Sequence, residues 1–162
     1  FLENIQREIT SNRNVPFVQH HQQKYHGYFP VWVITELFTF GMLSYFYSDL
    51  LTQDQKAIAR QYNTSHTVLK SWLRCCTDAR NICAHYGRLY YRVFSAAPAG
   101  FNFSAGVRWR MWAVMLVIKA LYPSPQKWSE EFVPRAEKLF QKYADDIDLY
   151  HLGFPRDWKA HL

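Results

Sequence analysis

Apolar positions along this chain recur with the spacing of helices, and turn-forming residues divide it into segments of helical rather than strand length. No internal repeat or low-complexity tract interrupts this pattern. Ala, Gly and Pro cluster between Ser95 and Gly106, where we expect the longest loop. We therefore predict an all-α bundle. Its helices are expected at residues 1–10, 17–26, 30–50, 52–62, about 66–92, 107–122 and 128–150, with an irregular tail at 153–158.

The composition is that of a globular protein. Of the 162 residues, 49% are hydrophobic, 20% are charged and 18% are aromatic. A chain of this length typically buries roughly 70% of its unfolded surface, so its core needs no disulfide or metal to hold it. We interpret residues 1–162 as a single domain.

The net charge of +6 and the isoelectric point near 9.3 favour anionic partners. The excess lies in one segment. Between Val68 and Arg92 there are five Lys or Arg residues and one acid, Asp78, whereas the chain from Lys127 onward is close to balanced. Any anion-binding function is therefore expected around residues 68–92.

Three cysteines within nine positions, Cys75, Cys76 and Cys83, favour neither a disulfide framework nor a zinc site, and they are expected to pack between helices in a reducing cytosol. We expect His20, His21 and His26 to be surface residues, because no other ligand type accompanies them. No metal and no other cofactor is predicted. The longest apolar run has eight residues, far below the ~20 that span a bilayer, so we predict no membrane association.

At 100° per residue, a helix over residues 69–93 separates into two faces. One face is a polar stripe made of Arg74, Asp78, Asn81, His85, Arg88 and Arg92. The opposite face holds Trp72, Cys76, Ala79, Cys83, Tyr86 and Tyr90. Arg80 lies at the border, from which a long side chain can reach the polar stripe. Arg80, Asn81 and His85 can therefore point toward one place.

These three side chains suit phosphodiester cleavage. Histidine transfers protons near neutral pH, and a guanidinium donates to phosphate oxygens in a planar, permanently charged arrangement. An asparagine beside them can orient the imidazole or donate to a phosphate oxygen. The same charges are equally explained by an RNA-binding stripe or by a solvated helix face, and the residue types alone leave these alternatives open.

Arg80-Asn-Ile-Cys-Ala-His85 resembles the hallmark of the HEPN superfamily, which is an Arg, a polar residue, three further positions and a His. With Arg88-Leu89 after it, the segment is more narrowly similar to the Abi-like family of bacterial antiphage proteins, whose members read Arg-Asn-x-x-Ala-His-x-x-Arg-Leu. Two further segments, residues 30–41 and 152–158, are similar to that family's Pro-x-Trp…Glu…Phe-Gly and Leu-Gly-Phe-Pro-x-x-Trp patterns. The resemblance covers residues 17–158.

This resemblance implies a HEPN-type helical bundle with additional flanking helices that forms a homodimer and cuts RNA without a metal. Arg80, Asn81 and His85 would be its catalytic residues, at a composite site completed by the second copy. The implied role is that of an RNA-cleaving toxin in abortive-infection phage defence, acting in the bacterial cytoplasm and restrained by an antitoxin or a noncoding RNA. Family chains are usually longer at the N-terminus, so this chain is expected to be the C-terminal part of a longer protein.

Further candidates lie on and off the polar stripe. We expect RNA phosphates to contact Arg74, Arg88, Arg92, Arg108 and Arg110; the alternative for Arg108 and Arg110 is that they face solvent or pair with acids of the last helix. Glu36 lies in an apolar stretch and is expected to need a cation. It would either orient Arg80 or form a buried ion pair that fixes helix register. The rival to the enzyme is a noncatalytic module that binds RNA or a protein through the same basic stripe.

Overall fold

In a computed structural model that describes all 162 residues, the chain is helical and contains no β-strand, which confirms the all-α prediction. It divides into two compact units, unit 1 (residues 1–51) and unit 2 (residues 52–162). None of the helices combines the length and hydrophobicity that a membrane-spanning segment needs.

Unit 1 is built around a small apolar cluster of Ile9, Val18 and Ile34. Its helices are α1 (Leu2–Ser11), α2 (Pro16–Lys24), α3 (Val31–Ile34) with a 3₁₀ turn (Thr35–Leu37), and α4 (Phe40–Asp49).

The prediction of one continuous helix over residues 30–50 is wrong, because the chain leaves helical geometry at Phe38 and Thr39. Thr39 Oγ1 accepts a hydrogen bond from Met42 N at 3.2 Å, and so caps a new helix. The Phe38 ring lies edge-on to those of Phe1 and Phe46, at 5.6 and 5.7 Å between centroids, which favours the break.

Unit 2 centres on α6, which packs against both α5 and α7. Trp112, Trp128, Phe154 and Trp158 form a second, aromatic part of its core. Its helices are α5 (Thr52–Arg60), α6 (His66–Ala84), a 3₁₀ turn (Val107–Trp109), α7 (Met111–Leu121), α8 (Pro125–Lys127), a π turn (Trp128–Phe132), α9 (Val133–Lys142), a 3₁₀ turn (Leu149–Leu152) and α10 (Trp158–His161).

The helix expected at residues 128–150 begins earlier and ends at Lys142. Its π turn ends at Phe132, two residues before Pro134, which has no N–H to donate to the carbonyl four residues back.

The predicted loop between residues 95 and 106 is confirmed, and it is anchored along α6. Trp72 Nε1 donates to Ala99 O at 2.9 Å, and Ala99 N donates to Ser71 Oγ at 2.9 Å. The Phe101 ring stacks on Trp72 with a centroid separation of 5.3 Å. The loop is therefore fixed to α6 at Ser71 and Trp72.

Candidate active site

The helix that carries the polar stripe ends at His85. Gly87 N donates to Ile82 O at 2.7 Å and Tyr86 N donates to Cys83 O at 3.1 Å, while Tyr86 has a left-handed φ of +54°. This pair of bonds is the Schellman motif, with His85 as the C-cap. The helix therefore stops after Ala84, and the predicted continuation to Arg92 is wrong.

Gly87 is needed for a steric reason. A Cβ at this position would lie 2.8 Å from Ile82 Cγ2 and 2.9 Å from Ile82 O. Tyr86 takes the left-handed position, which glycine usually occupies, with a side chain that is 100% exposed. Helical spacing predicts that Tyr86 and Cys83 lie on the apolar face, and this prediction is wrong because both are exposed.

Arg80 and Asn81 meet as predicted on the exposed side of the last turn of α6. Arg80 Nη1 donates to Asn81 Oδ1 at 3.2 Å. His85 lies one turn further on, and its backbone N–H donates to Asn81 O at 3.1 Å. The His85 side chain is exposed and makes no hydrogen bond, ion pair or ring contact within the chain. Its imidazole is therefore available to a ligand.

Residues 86–95 form a loop rather than a helix, and we name this segment the tethered loop. Leu89 and Phe94 pack on Ala79 and Ile82 of α6. Ser95 donates to Asp78 Oδ2 through both its N–H and its hydroxyl, each at 2.8 Å. Asp78 therefore ties the loop back to the helix that carries Arg80.

Arg110 holds the middle of this loop. Its Nη1 donates to Tyr91 O at 2.8 Å and to Arg92 O at 3.4 Å, and Tyr91 has a left-handed φ of +61°. The Tyr90 hydroxyl accepts a hydrogen bond from Asp148 N at 3.0 Å. Arg110 is half-buried, so part of its role is to position the loop that carries Arg92.

The other arginines expected to bind RNA are exposed and unneutralised. None of them forms an ion pair with a carboxylate. Arg108 lies over the Trp109 ring, with Cζ 5.5 Å from the centroid. The set is Arg74 on α6, Arg88 and Arg92 on the tethered loop, and Arg108 on the 3₁₀ turn before α7.

Glu36 does not have the surroundings that the sequence indicated. It lies in the 3₁₀ turn of unit 1, is exposed and forms no ion pair. The expectation of a buried carboxylate with a cationic partner is therefore wrong, because Glu36 lies on the solvent-exposed side of this turn. An orienting effect of Glu36 on Arg80 stays a prediction.

The cysteines do not behave alike. Burial raises the pKa of the Cys75 thiol to about 12 and that of Cys76 to about 11. Cys83 is exposed on the last turn of α6, so its predicted packing role is wrong. No group of three or more His, Cys, Asp or Glu side chains is placed to hold a metal ion.

The C-terminal segment around Gly153 packs against Arg110 and so supports the site, which helical periodicity does not predict. Gly153 has a φ of +83°, and a Cβ there would lie 2.7 Å from Arg110 Cβ. Phe154 and Trp158 are buried beside Trp112. The Leu-Gly-Phe-Pro-x-x-Trp pattern was the available signal, since it marks the segment that packs against the arginine holding the loop.

The family model for Abi-like proteins matches residues 1–91, which include Arg80, Asn81 and His85. The chain therefore belongs to the Abi-like protein family. Membership suggests a role in abortive-infection phage defence. No curated protein and no solved structure matches the chain.

Proposed function

We propose that this chain is a metal-independent endoribonuclease of the HEPN type, acting as a toxin in abortive infection in the bacterial cytoplasm. One observation carries the proposal. Arg80 is hydrogen-bonded to Asn81 on the exposed end of α6, and the unengaged imidazole of His85 follows one turn later. These groups can supply a proton acceptor and stabilise developing negative charge, two of the requirements of RNA cleavage through the ribose 2′-oxygen.

In the proposed reaction, His85 accepts the proton of a ribose 2′-hydroxyl as the 2′-oxygen attacks the adjacent phosphorus. The bond from phosphorus to the 5′-oxygen breaks, and that oxygen takes up a proton. Arg80 stabilises the extra negative charge on the phosphorane. Asn81 holds the Arg80 guanidinium through Oδ1, and its amide N–H groups remain to donate to a non-bridging oxygen. The products carry 2′,3′-cyclic phosphate and 5′-hydroxyl ends.

Protonation of the leaving 5′-oxygen needs an acid, and one copy of the motif supplies a single histidine. A second copy related by a two-fold axis would supply the other. The active species is therefore proposed to be a homodimer. Cleavage per chain is expected to fall on dilution as dimers dissociate, whereas a monomer that cuts at constant specific activity would contradict the shared site.

The unneutralised cations are proposed to hold the substrate backbone. Arg74, Arg88, Arg92 and Arg108 are exposed, and Arg110 has N–H donors beyond the Nη1 bonded to the loop carbonyls. Binding through phosphates weakens as salt rises, so the affinity for RNA is expected to depend steeply on salt.

A noncatalytic RNA- or protein-binding module is the second candidate, because the same unneutralised arginines support it. His85→Ala separates the two. For the enzyme, this variant loses RNA cleavage but keeps RNA affinity, while the matched control His20→Ala in unit 1 keeps both. If wild type and His85→Ala bind RNA equally and neither cuts it, the binding module is the better account. Restraint by an antitoxin or a noncoding RNA is part of the proposed biology.

A further inference from the structure

Unit 2 contains an open cavity of about 1270 Å³ between residues 101–107, α7 and residues 150–162, which we name the C-terminal groove. It exceeds the roughly 300–1,000 Å³ of typical small-molecule sites. None of the residues that line it is an Asp or Glu, while Arg110, Lys119 and Arg156 all line it. Its charge therefore suits a polyanion rather than a neutral or cationic ligand.

Two of the three cations that line the groove already donate hydrogen bonds within the chain, and the third does not. Lys119 Nζ donates to His161 O at 2.8 Å, and Arg110 holds the tethered loop. Arg156 is exposed and forms no hydrogen bond or ion pair within the chain. Arg156 is therefore the cation most available to a phosphate.

An exposed aromatic ring stands in the same groove. Tyr150 is 76% exposed, and its ring lies 5.7 Å from that of His151. The His151 ring in turn lies 4.2 Å from that of Tyr91, with an interplanar angle of 31°. Tyr91 precedes Arg92 on the tethered loop, so a chain of three rings leads from this loop into the groove.

We propose that the C-terminal groove binds the single-stranded RNA that flanks the cut, with a base stacked on Tyr150 and a phosphate on Arg156. This inference rests on the proposed function. Exposed aromatic rings stack on unpaired bases, and a nearby cation neutralises the backbone between them. Bases in a duplex are already stacked and do not reach such a ring. The groove therefore selects single strands without reading their sequence.

Binding is measured as the fluorescence anisotropy of a labelled 20-nucleotide single-stranded RNA in EDTA. The full chain carries His85→Ala, so that the probe stays intact. Tyr150→Ala is expected to weaken binding by about 5- to 140-fold, the range for losing one base stack. The matched control is Tyr143→Ala, which removes an exposed tyrosine outside the groove and should leave the affinity unchanged.

The phosphate contact has its own matched pair. Arg156→Gln is expected to reduce the slope of log affinity against log salt by about 0.7, which is one phosphate contact on a single strand. Arg135→Gln, on the exposed side of α9 and outside the groove, should leave the slope unchanged. Equal slopes for the two variants would overturn the phosphate contact.

Competitors identify the occupant. Unlabelled single-stranded RNA should displace the probe, whereas duplex RNA of the same length and adenosine monophosphate should not. Displacement by the duplex at equal concentration would overturn selection of single strands, and displacement by the mononucleotide at comparable concentration would overturn a polymer as the occupant.

The groove and the nuclease can fail separately. If wild type cuts RNA while Tyr150→Ala binds and cuts as well as Tyr143→Ala does, the groove proposal is overturned and the nuclease stands. If wild type does not cut RNA but Tyr150→Ala still loses affinity, the groove stands and the nuclease falls.

Discussion

Replacing Gly87 with alanine should lower the free energy of unfolding by about 1–3 kcal/mol, the usual cost of forcing an extra carbon into a closely packed place. The new Cβ would lie 2.8 Å from Ile82 Cγ2, well short of the roughly 3.5–4.0 Å at which two carbons are in favourable contact. Ile82 is 9% exposed and cannot simply turn away. The Gly87 N–H bond to Ile82 O, which ends α6, must therefore lengthen.

The matched control is the neighbouring substitution Tyr86→Gly. It removes a side chain that makes no contact and relieves a left-handed conformation that costs roughly 1–2 kcal/mol. Glycine gives back about 0.5–1 kcal/mol through its greater freedom in the unfolded chain. Tyr86→Gly is therefore expected to match or slightly exceed wild-type stability, although it lies one residue from the destabilising change.

The assay is urea and thermal unfolding followed by tryptophan fluorescence. Five of the six tryptophans lie in unit 2, so the signal reports on the unit that contains α6. In a chain of this length each kcal/mol shifts Tm by roughly 2–4 °C, so Gly87→Ala should melt about 2–12 °C below wild type. If Gly87→Ala unfolds with wild type, or Tyr86→Gly is the less stable of the pair, the described end of α6 is wrong.

Three further predictions test the surroundings of the site. Because Cys75 is buried with a pKa raised to about 12, the native protein at pH 8 should be alkylated by iodoacetamide at Cys83 alone, and mass spectrometry that finds Cys75 modified as fast would contradict this. Asp78→Ala should lower the free energy of unfolding by about 1–3 kcal/mol by removing two hydrogen bonds to the loop, each worth roughly 0.5–1.5 kcal/mol, and an unchanged urea midpoint would argue against the tether. The double variant Arg88→Gln, Arg92→Gln should reduce the salt slope of RNA binding by about 1.4, two single-strand phosphate contacts, and an unchanged slope would remove both residues from the interface.

Helical periodicity predicted the course of most of the chain, because apolar spacing and breakers are local properties of sequence. The prediction failed at two helix ends, where a single residue decides whether the helix continues. Glycine is the usual signal for the end of a helix. Here Tyr86 adopts the left-handed conformation instead, and Gly87 is the residue in close contact with Ile82. The helix predicted to run to about residue 92 therefore ends at Ala84, and the residues after it form a loop. The helix predicted over 30–50 is also interrupted, because Thr39 caps a second helix that begins at Phe40.

The candidate site was predictable in part for the same physical reason. Arg80, Asn81 and His85 lie within two turns of one helix, so their proximity follows from spacing alone. The support around them does not, since Arg110 reaches Tyr91 across 19 positions and Asp148 reaches Tyr90 across 58. Such contacts depend on tertiary packing, which no local pattern encodes.

The central claim is that His85 and Arg80 cut RNA through the ribose 2′-oxygen, and the most direct test is the chemistry of the product ends. Purified chain is incubated with a labelled RNA panel in EDTA, and the fragments are analysed by mass spectrometry beside those from His85→Ala. We expect cleavage that resists EDTA, leaves 2′,3′-cyclic phosphate and 5′-hydroxyl ends, and disappears in the variant. Fragments with 5′-phosphate ends, or equal cleavage by His85→Ala, would contradict the mechanism.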